Sequence, residues 1–437
     1  MNIGLVTLGC AKNQVDSEMI LGLFKNKGFN IVSDPTYADI IVINTCGFIE
    51  SAKKEAIDTM LEMADYKKNG KCKYLIATGC LVQRYKEEII KTMPEVDLCI
   101  GVDEYDKFDE IISQFLNLKD SNLKLSFNSR VISSNFPQCY IRISDGCNNR
   151  CAFCAIPNIR GNLKSRKMED ILEEVSDLAS KGMKEFCIIS QDTTKYGLDI
   201  YGKKILPELL HKISKIDGVK WIRILYMYIH EIDNELLNEF KSNDKICKYF
   251  DIPIQHSSDR ILRLMNRHDK KEEIYSFVNN IRKNIPEAIL RTTVMTGFPG
   301  ETDDDFDQLI KTVNDLKFDR LGAFSYSAEE GTPAYNMKNQ IKEDIKLDRL
   351  DKVLKLQEKI SLKNNSKLVG NTYEVIVENI SDDEKYFVCR SYMDAPDVDG
   401  RIYIKIDNNS IAKVIVGEFI LVKIIDYNQY DLFAQVI

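Results

Sequence analysis

The sequence lacks three features that would place the protein in a membrane, outside the cell or on a nucleic acid. It has no run of about eighteen or more apolar residues, the length a membrane-spanning helix needs. Its first residues, "MNIGLVTLGC", lack the basic and apolar regions of a secretory signal. Positive charge is not in excess: 60 Lys and Arg stand against 67 Asp and Glu, a formal net charge of −7. We therefore expect a cytoplasmic protein without a membrane span and without a large phosphate-binding surface.

Histidine is also scarce, with four residues in the chain, whereas cysteine is abundant, with twelve. Disulfides are rare in a reducing cytoplasm. The cysteines are therefore expected to bind metal, perform chemistry or pack as small apolar side chains, and how they are placed must decide between these roles.

The length of 437 residues predicts about three domains. Residues 1–130 alternate apolar runs with helical patterns, as in βαβ units, and this predicts an α/β domain with a parallel sheet. A polar stretch at 119–138 is predicted as a linker. Residues 131–367 repeat the strand-helix alternation about six times, which predicts a partial TIM-type (βα)6 barrel followed by a long amphipathic helix at 343–367. Residues 368–437 carry short β-branched runs that predict a small antiparallel β-barrel.

Three cysteines far apart in the sequence share one position in the predicted N-terminal sheet. Cys10, Cys46 and Cys80 each end a predicted strand, in "NIGLVTLGC", "ADIIVINTC" and "KYLIATGC". Ligands of open α/β sheets bind at the carboxyl ends of the strands. The three thiols are therefore expected to converge, although isolated cysteines are often simply buried.

Three further cysteines lie within eight residues, in "CNNRCAFC", with the spacing C-x3-C-x2-C. Cys147, Cys151 and Cys154 are suited to a [4Fe–4S] cluster with one iron left open, because such clusters are held by cysteine thiolates. Two alternatives are a zinc site completed by a distant residue and a loop without metal. Zinc loops usually repeat CxxC or Cys/His pairs, and no histidine lies near this loop.

With Phe153 before its last cysteine, this motif resembles the signature of radical S-adenosylmethionine enzymes. The resemblance implies that the open iron chelates the amine and carboxylate of S-adenosylmethionine. It also implies that an electron from the cluster yields a 5′-deoxyadenosyl radical, and that a partial TIM barrel holds the site.

The order of the three predicted domains is similar to that of the methylthiotransferases, and the similarity covers nearly the whole chain. It implies that Cys10, Cys46 and Cys80, in "LGCAKN", "INTCGFIE" and "ATGCL", hold a second, auxiliary [4Fe–4S] cluster. The cofactors are then two [4Fe–4S] clusters and S-adenosylmethionine, the latter as methyl donor and radical source. The C-terminal barrel is expected to be TRAM-like.

Within the methylthiotransferases the chain resembles the RimO-like branch, which modifies the β-carbon of an aspartate in protein twelve of the small ribosomal subunit. The resemblance rests on "AKN" after Cys10, on Asp251 and His256 in "DIPIQHSSDRIL", and on Glu329–Glu330, which we expect to form an acidic docking surface with the C-terminal barrel. That barrel has six Lys and Arg against twelve Asp and Glu, which favours a basic protein substrate over RNA. Ile229 stands where the family suggests a turn residue.

Further contacts to S-adenosylmethionine are expected at Gly182, Glu185, Gln191, Gln255 and Gly297. Glu185 is a candidate acceptor for the amine, with an exposed glutamate at a helix end as the alternative. Gln255 is either a ligand contact or a loop-capping amide. Gly297 permits close approach of backbone to ligand, or merely a tight turn. No catalytic residue is predicted beyond the six cysteines.

Two other functions stay open at this stage: a methylthiotransferase acting on a tRNA adenosine near the anticodon, and a non-enzymatic iron–sulfur electron carrier. The expected partners are a small-subunit ribosomal protein as substrate and a low-potential electron donor. We expect a monomer that binds no membrane and no RNA directly.

Overall fold

The computed structural model describes residues 1–119 and 122–437, so the predicted linker at 119–138 lies partly outside the described residues. By its internal contacts the chain divides into two compact units. The first comprises residues 1–133, 144–164 and 327–335, and the second comprises residues 134–143, 165–326 and 336–437. The predicted boundaries at 130/131 and 367/368 remain predictions.

The first unit is built on a five-stranded parallel sheet with the order β2-β1-β3-β4-β5. Its strands are β1 (Asn2–Thr7), β2 (Asn30–Ile31), β3 (Ile40–Thr45), β4 (Tyr74–Gly79) and β5 (Leu98–Ile100). Its helices are α1 (Ala11–Asn26), α2 (Glu50–Ala64), α3 (Tyr66–Asn69), α4 (Cys80–Thr92) and α5 (Phe108–Phe115), with short 3-10 turns at Pro35–Tyr37, Val102–Lys107 and Phe127–Ser129.

Strand β3 lies at the centre of this sheet and is buried along its whole length. Its side chains alternate between two apolar layers: Ile41 and Ile43 join one core cluster, and Ile40 and Val42 join the other. A strand buried on both faces is typical of a parallel sheet covered by helices on each side. The prediction of a parallel α/β domain is confirmed.

The segment at 144–164 contains β7 (Ser144–Asp145), α6 (Ile156–Arg160) and the first residue of β8 (Lys164–Ser165). The cysteine loop at 147–154 lies between β7 and α6 and therefore belongs to the first unit. The spacing of the cysteines did not predict this grouping.

The second unit contains six parallel strands in two groups of three, with the orders β10-β9-β6 and β11-β12-β13. They are β6 (Gln138–Arg142), β9 (Glu185–Ile189), β10 (Trp221–Ile224), β11 (Tyr249–Asp251), β12 (Ile289–Thr296) and β13 (Arg320–Ser325). A parallel bridge from Ile222 to Ile246 joins the two groups. This arrangement agrees with the predicted partial (βα)6 barrel.

Helices follow the strands of this barrel in the expected order. They are α7 (Met168–Ser180), α8 (Leu206–Ser214), α9 (Asn234–Ser242), α10 (Asp259–Leu264), α11 (Lys271–Asn284), α12 (Asp303–Leu316) and α13 (Glu343–Ser366), and 3-10 turns lie at Thr193–Lys195 and Ile229–Glu231. A further 3-10 turn, Pro333–Asn336, lies mostly in the segment at 327–335 that belongs to the first unit. Helix α12 begins with Thr302 and Asp305 in a capping box, and three aspartates occupy its first turn, as the helix dipole favours.

The chain ends in a closed five-stranded barrel with the order β14-β15-β16-β18-β17. Its strands are β14 (Thr372–Ile380), β15 (Tyr386–Ser391), β16 (Ile402–Lys405), β17 (Phe419–Tyr427) and β18 (Leu432–Val436). The run "IAKVIV" at 411–416 reads as a strand in the sequence, but its first residue ends the short helix α14 (Asn408–Ile411), and a turn follows. One pair, β16–β18, is parallel, and the other pairs are antiparallel. In the described part of the chain, no helix is both long and apolar enough to cross a membrane.

Candidate functional site

The three scattered cysteines lie at the ends of three adjacent strands, as the sequence predicted. Cys10 caps the start of α1, Cys46 directly follows β3, and Cys80 is the first residue of α4 after β4. Because β1, β3 and β4 are neighbours in a parallel sheet, these residues share its carboxyl edge. We call Cys10, Cys46 and Cys80 the strand-end triad.

Close packing brings the triad together. Gly9 has φ +91°, and a Cβ at this position would stand 2.7 Å from Cys46 Cβ and 2.9 Å from its Sγ. Glycine therefore lets the turn before Cys10 lie directly against Cys46. The thiols also affect one another electrostatically. The pKa of Cys80 is raised to about 12, mainly by burial and also by the neighbouring thiols of Cys10 and Cys46, against the lowering effect of Arg160.

A buried amide, Asn13, connects the three strand ends and was missed by sequence reasoning. Asn13 Nδ2 donates to the carbonyl oxygens of Leu8, at 2.9 Å, and Thr45, at 3.1 Å. Its Oδ1 lies 3.5 Å from the Cys80 thiol, which donates to it. One side chain thus contacts residues beside all three cysteines. The only signal in the sequence was the "AKN" that follows Cys10.

The loop cysteines Cys147, Cys151 and Cys154 form the second set, which we call the loop triad. The loop is closed at its base, where Cys147 N donates to Gly161 O at 3.1 Å. Gly146, with φ +71°, is required there because a Cβ would stand 2.0 Å from Asn162 O. Cys154 N donates to Cys151 O at 3.0 Å, which makes the tight turn between the last two cysteines.

The loop thiols influence one another, and Cys147 and Cys151 are buried whereas Cys154 is partly exposed. The pKa of Cys154 is raised to about 12, mainly by burial and also by the Cys151 and Cys147 thiols, against the lowering effects of the Ile156 N–H and Lys12. The Cys147 sulfur also accepts a hydrogen bond from Asn149 N at 3.5 Å. A backbone N–H directed at a sulfur suits a thiolate ligand.

The described residues offer no ready site for a single metal ion. In the part of the chain that the structure describes, no three His, Cys, Asp or Glu side chains converge on one ion position. In a [4Fe–4S] cluster each thiolate bonds a different iron.

Arg160 joins the strand-end triad to the helix that follows the loop triad. Helix α6 begins two residues after Cys154 and ends at Arg160, and its residue Ile159 packs with Cys80 in one apolar cluster. Arg160 Nη2 lies 2.7 Å from Asp16 Oδ2 and 3.8 Å from Cys80 Sγ. Sequence reasoning did not single out this arginine.

In the second unit, the predicted contacts to S-adenosylmethionine fall at opposite ends of the barrel strands. Gln191 follows the carboxyl end of β9, and Gln255 lies beyond β11 in a parallel bridge with Val294. Gln255 has φ +66°, and its buried Oε1 has no hydrogen-bond partner among the described residues. This orphaned acceptor favours a ligand contact over a loop-capping amide.

Glu185 is at the opposite, amino end of β9, and its predicted role as a ligand is corrected here. It is fully buried, so it is not the exposed glutamate of the alternative interpretation either. Its carboxylate accepts hydrogen bonds from Arg223 Nε at 2.9 Å and Arg390 Nη1 at 3.1 Å. These two guanidinium groups pair with both carboxylate oxygens, so a buried ion pair explains Glu185 without an amine ligand.

Two glycines predicted beside the ligand have structural explanations. Gly182, with φ +95°, lies just beyond the C-cap of α7, and its N–H donates to Ala179 O at 3.0 Å, as in an ordinary helix C-terminus. At Gly297, a Cβ would stand 2.2 Å from Cγ of Lys346. Its side-chain position is thus filled by α13, and the tight-turn interpretation fits the structure better than close approach of a ligand.

The predicted acidic surface at Glu329–Glu330 is wrong for its first residue. Glu329 is 1% exposed, and its carboxylate pairs with Arg84 at 2.8 Å and Lys53 at 3.2 Å. Only Glu330 is exposed. The contrast arises because Arg84 and Lys53 come from distant helices, which the local sequence does not reveal.

Three family models match the chain. The Radical SAM superfamily matches residues 141–313, the TRAM domain matches residues 369–437, and the family described as Uncharacterized protein family UPF0004 matches residues 2–101. The matches to UPF0004 and to the TRAM domain fall within the domains predicted at the two ends of the chain.

Curated relatives match the chain along its whole length. The Ribosomal protein uS12 methylthiotransferase RimO of Alkaliphilus oremlandii is 49% identical, covering 100% of this chain and 99% of the relative. The protein of the same name from Clostridioides difficile is 48% identical, with the same coverage. Among solved structures, the radical S-adenosylmethionine methyltransferase TsrM from Kitasatospora setae has a TM-score of 0.56 at 13% identity, covering 76% of each chain. That likeness concerns the fold alone.

Proposed function

The chain belongs to the RimO family of radical S-adenosylmethionine methylthiotransferases, and we propose that it transfers a methylthio group to the β-carbon of an aspartate in ribosomal protein uS12. The observation that carries the proposal is the presence of two cysteine triads in one compact unit, one at the ends of three adjacent strands and one in a single loop. Full-length identity of 49% to a relative with this name supports the substrate.

The loop triad is proposed to hold the radical [4Fe–4S] cluster. Cys147, Cys151 and Cys154 supply three thiolates, and the Asn149 N–H donates to one of the sulfurs. When bound, the cluster supplies the electron that cleaves S-adenosylmethionine. The chain itself holds the three thiols in a loop that is closed at its base by Gly146 and Gly161.

The strand-end triad is proposed to hold the auxiliary [4Fe–4S] cluster, with its fourth iron available to the sulfur that is transferred. Cys10, Cys46 and Cys80 come from three rigid strand ends, which preorganises their thiols. Asn13 holds the ends of β1 and β3 together by donating to Leu8 O and Thr45 O. The proposal therefore includes a supporting residue as well as three ligands.

Gln191 and Gln255 are proposed to contact S-adenosylmethionine at the carboxyl edge of the barrel. The buried, unpartnered Oε1 of Gln255 supports this, because an acceptor left without a partner is costly unless a ligand satisfies it. Gly182 and Glu185 are excluded from the proposal for the reasons given above. Gly297 is retained only as a turn residue.

The proposed partners follow from the substrate and the charge of the chain. The C-terminal barrel has twice as many acidic as basic residues, which favours a basic protein over RNA phosphates. A low-potential one-electron donor completes the reaction. We infer a cytoplasmic protein, since a ribosomal protein is the named substrate of the relatives. A monomer stays a prediction.

Mass spectrometry of two substrates tests the proposal. The reconstituted enzyme, with S-adenosylmethionine, sulfide and dithionite, is incubated in parallel with uS12 and with unmodified tRNA. We expect one methylthio group on an aspartate of uS12 and none on the tRNA. Modification of tRNA alone would establish the tRNA function instead, and intact S-adenosylmethionine in both reactions would indicate an electron carrier.

A further inference from the structure

Arg160 is a buried cation directly beside one member of the strand-end triad. Its side chain is 2% exposed. Nη2 donates to Asp16 Oδ2 at 2.7 Å, to Asn13 Oδ1 at 2.9 Å and to Cys80 Sγ at 3.8 Å. Nη1 donates to Asp145 Oδ2 at 2.9 Å. Nη2 has two N–H groups for three acceptors, so the sulfur shares an N–H with one of the two oxygens. The two carboxylates and the amide hold the guanidinium in that position.

The chemistry of arginine keeps both the charge and the orientation of this group fixed. A guanidinium stays charged at all accessible pH values, and its donors form a rigid fork. Here one arm of the fork is held by Asp145 from the loop segment and the other by Asp16 from α1. The side chain cannot turn away from Cys80 without leaving a buried carboxylate unpaired, which is strongly unfavourable.

A hydrogen-bond donor on a ligating sulfur stabilises the reduced state of an iron–sulfur cluster, because reduction adds negative charge that the ligand sulfurs share. Hydrogen bonds to the sulfurs, net charge and solvent exposure are the main protein controls on cluster potential. Arg160 contributes both a hydrogen bond and a positive charge. Burial strengthens both effects, since the local dielectric constant is lower than in water.

We propose that Arg160 is a positioning residue that raises the reduction potential of the auxiliary cluster by donating a hydrogen bond to Cys80 Sγ. The inference rests on the proposed function, in which Cys80 is a cluster ligand. It adds that the reducibility of this cluster is set by a residue on α6, the helix that begins beside the loop triad.

The potential can be measured on full-length protein in which only the auxiliary cluster contributes. Cys147, Cys151 and Cys154 are all replaced by alanine, the protein is reconstituted, its iron is counted, and the cluster is titrated with dithionite under EPR. Arg160→Gln and Arg160→Lys are compared in this background. The matched control is Arg130→Gln, because Arg130 is equally buried in the same unit and pairs with Glu18 at 2.7 Å.

We expect Arg160→Gln to make the cluster harder to reduce. At a fixed potential, the ratio of reduced to oxidised cluster should fall about tenfold, which is about 59 mV for a one-electron couple. Arg160→Lys keeps the charge but loses the fork, so its shift should have the same sign and be smaller. Arg130→Gln should leave the potential unchanged.

An unchanged potential in Arg160→Gln with the cluster assembled would overturn the inference. If Arg160→Gln loses its iron, the test passes to Arg160→Lys, and an unchanged cluster potential in that variant would also overturn the inference. Loss of iron in both variants, with iron retained in Arg130→Gln, would replace tuning by a purely structural role. If the protein lacking Cys147, Cys151 and Cys154 binds no cluster even with Arg160 in place, the auxiliary cluster itself is refuted, and the inference with it.

Discussion

Replacing Glu185 by glutamine distinguishes two roles for this residue, a partner in a buried ion pair and a contact to the cofactor. Glu185 sits between Arg223 and Arg390, and Arg390 also bonds Glu378 Oε1 at 2.9 Å. Each of these four side chains is at most 5% exposed. The carboxylates of Glu185 and Glu378 balance the two guanidinium groups. Glu185→Gln therefore leaves one buried positive charge uncompensated.

The expected cost follows from this count of charges. Removing one partner of a buried ion pair destabilises a protein by about 3–5 kcal/mol, because the remaining charge stays in a low-dielectric site. Glu185→Gln should lower the free energy of unfolding by this amount in urea. The affinity for S-adenosylmethionine, measured under conditions where the variant is folded, should stay at the wild-type value.

The pH dependence gives a second readout. Burial acts to raise the pKa of Glu185, but Arg390 and Arg223 outweigh it and hold that pKa below its ordinary value. A carboxylate with a lowered pKa contributes stability above its unfolded pKa of about 4.3 and loses it as the pH falls through the folded pKa. The difference between wild type and Glu185→Gln should therefore shrink in acid.

The control is Glu208→Gln, which breaks an exposed pair with Lys212 on the surface of α8. This variant should unfold close to the wild-type urea concentration. The reasoning would be refuted if Glu185→Gln unfolded with the wild type but bound S-adenosylmethionine more weakly. That result would restore Glu185 as a cofactor ligand.

Two further predictions concern other charged groups. The hydrogen bond between His230 and Asp269, at 3.2 Å, raises the pKa of His230, so NMR titration should show a His230 pKa above about 6.5. The stability that this contact contributes should be complete below about pH 6.5 and lost above the raised pKa. Asp269→Asn should lower the pKa of His230, and an unshifted pKa in the wild type would contradict the contact. Glu329→Gln should lower the free energy of unfolding by about 3 kcal/mol, because it leaves the buried charge of Arg84 without its carboxylate partner. Glu330→Gln, at the exposed neighbouring residue, should lower it little. Equal effects of the two variants in urea unfolding would contradict the burial of Glu329.

Features encoded within one short segment were predictable from the sequence. The loop triad is visible in its spacing, and the strand-end triad is visible because each cysteine closes an apolar run. Helix α13 was expected at 343–367 and spans Glu343–Ser366. In each case periodicity or spacing within a few turns carries the signal.

Features formed by distant residues were not predictable. Glu185 meets Arg390 across 205 positions, and Glu329 meets Arg84 across 245. Local sequence shows both glutamates as polar residues near turns, which usually means exposure. Arg160 meets Cys80 across 80 positions, so the contact between α6 and the strand-end triad also required the fold.

The most direct test of the two-cluster account compares two triple-alanine proteins. One lacks Cys147, Cys151 and Cys154, and the other lacks Cys10, Cys46 and Cys80. Each should retain about half of the wild-type iron, since a [4Fe–4S] cluster needs its cysteine thiolates. The first should not cleave S-adenosylmethionine, and the second should cleave it but transfer no methylthio group to uS12. Full iron content in the second protein, or deoxyadenosine production by the first, would contradict the account.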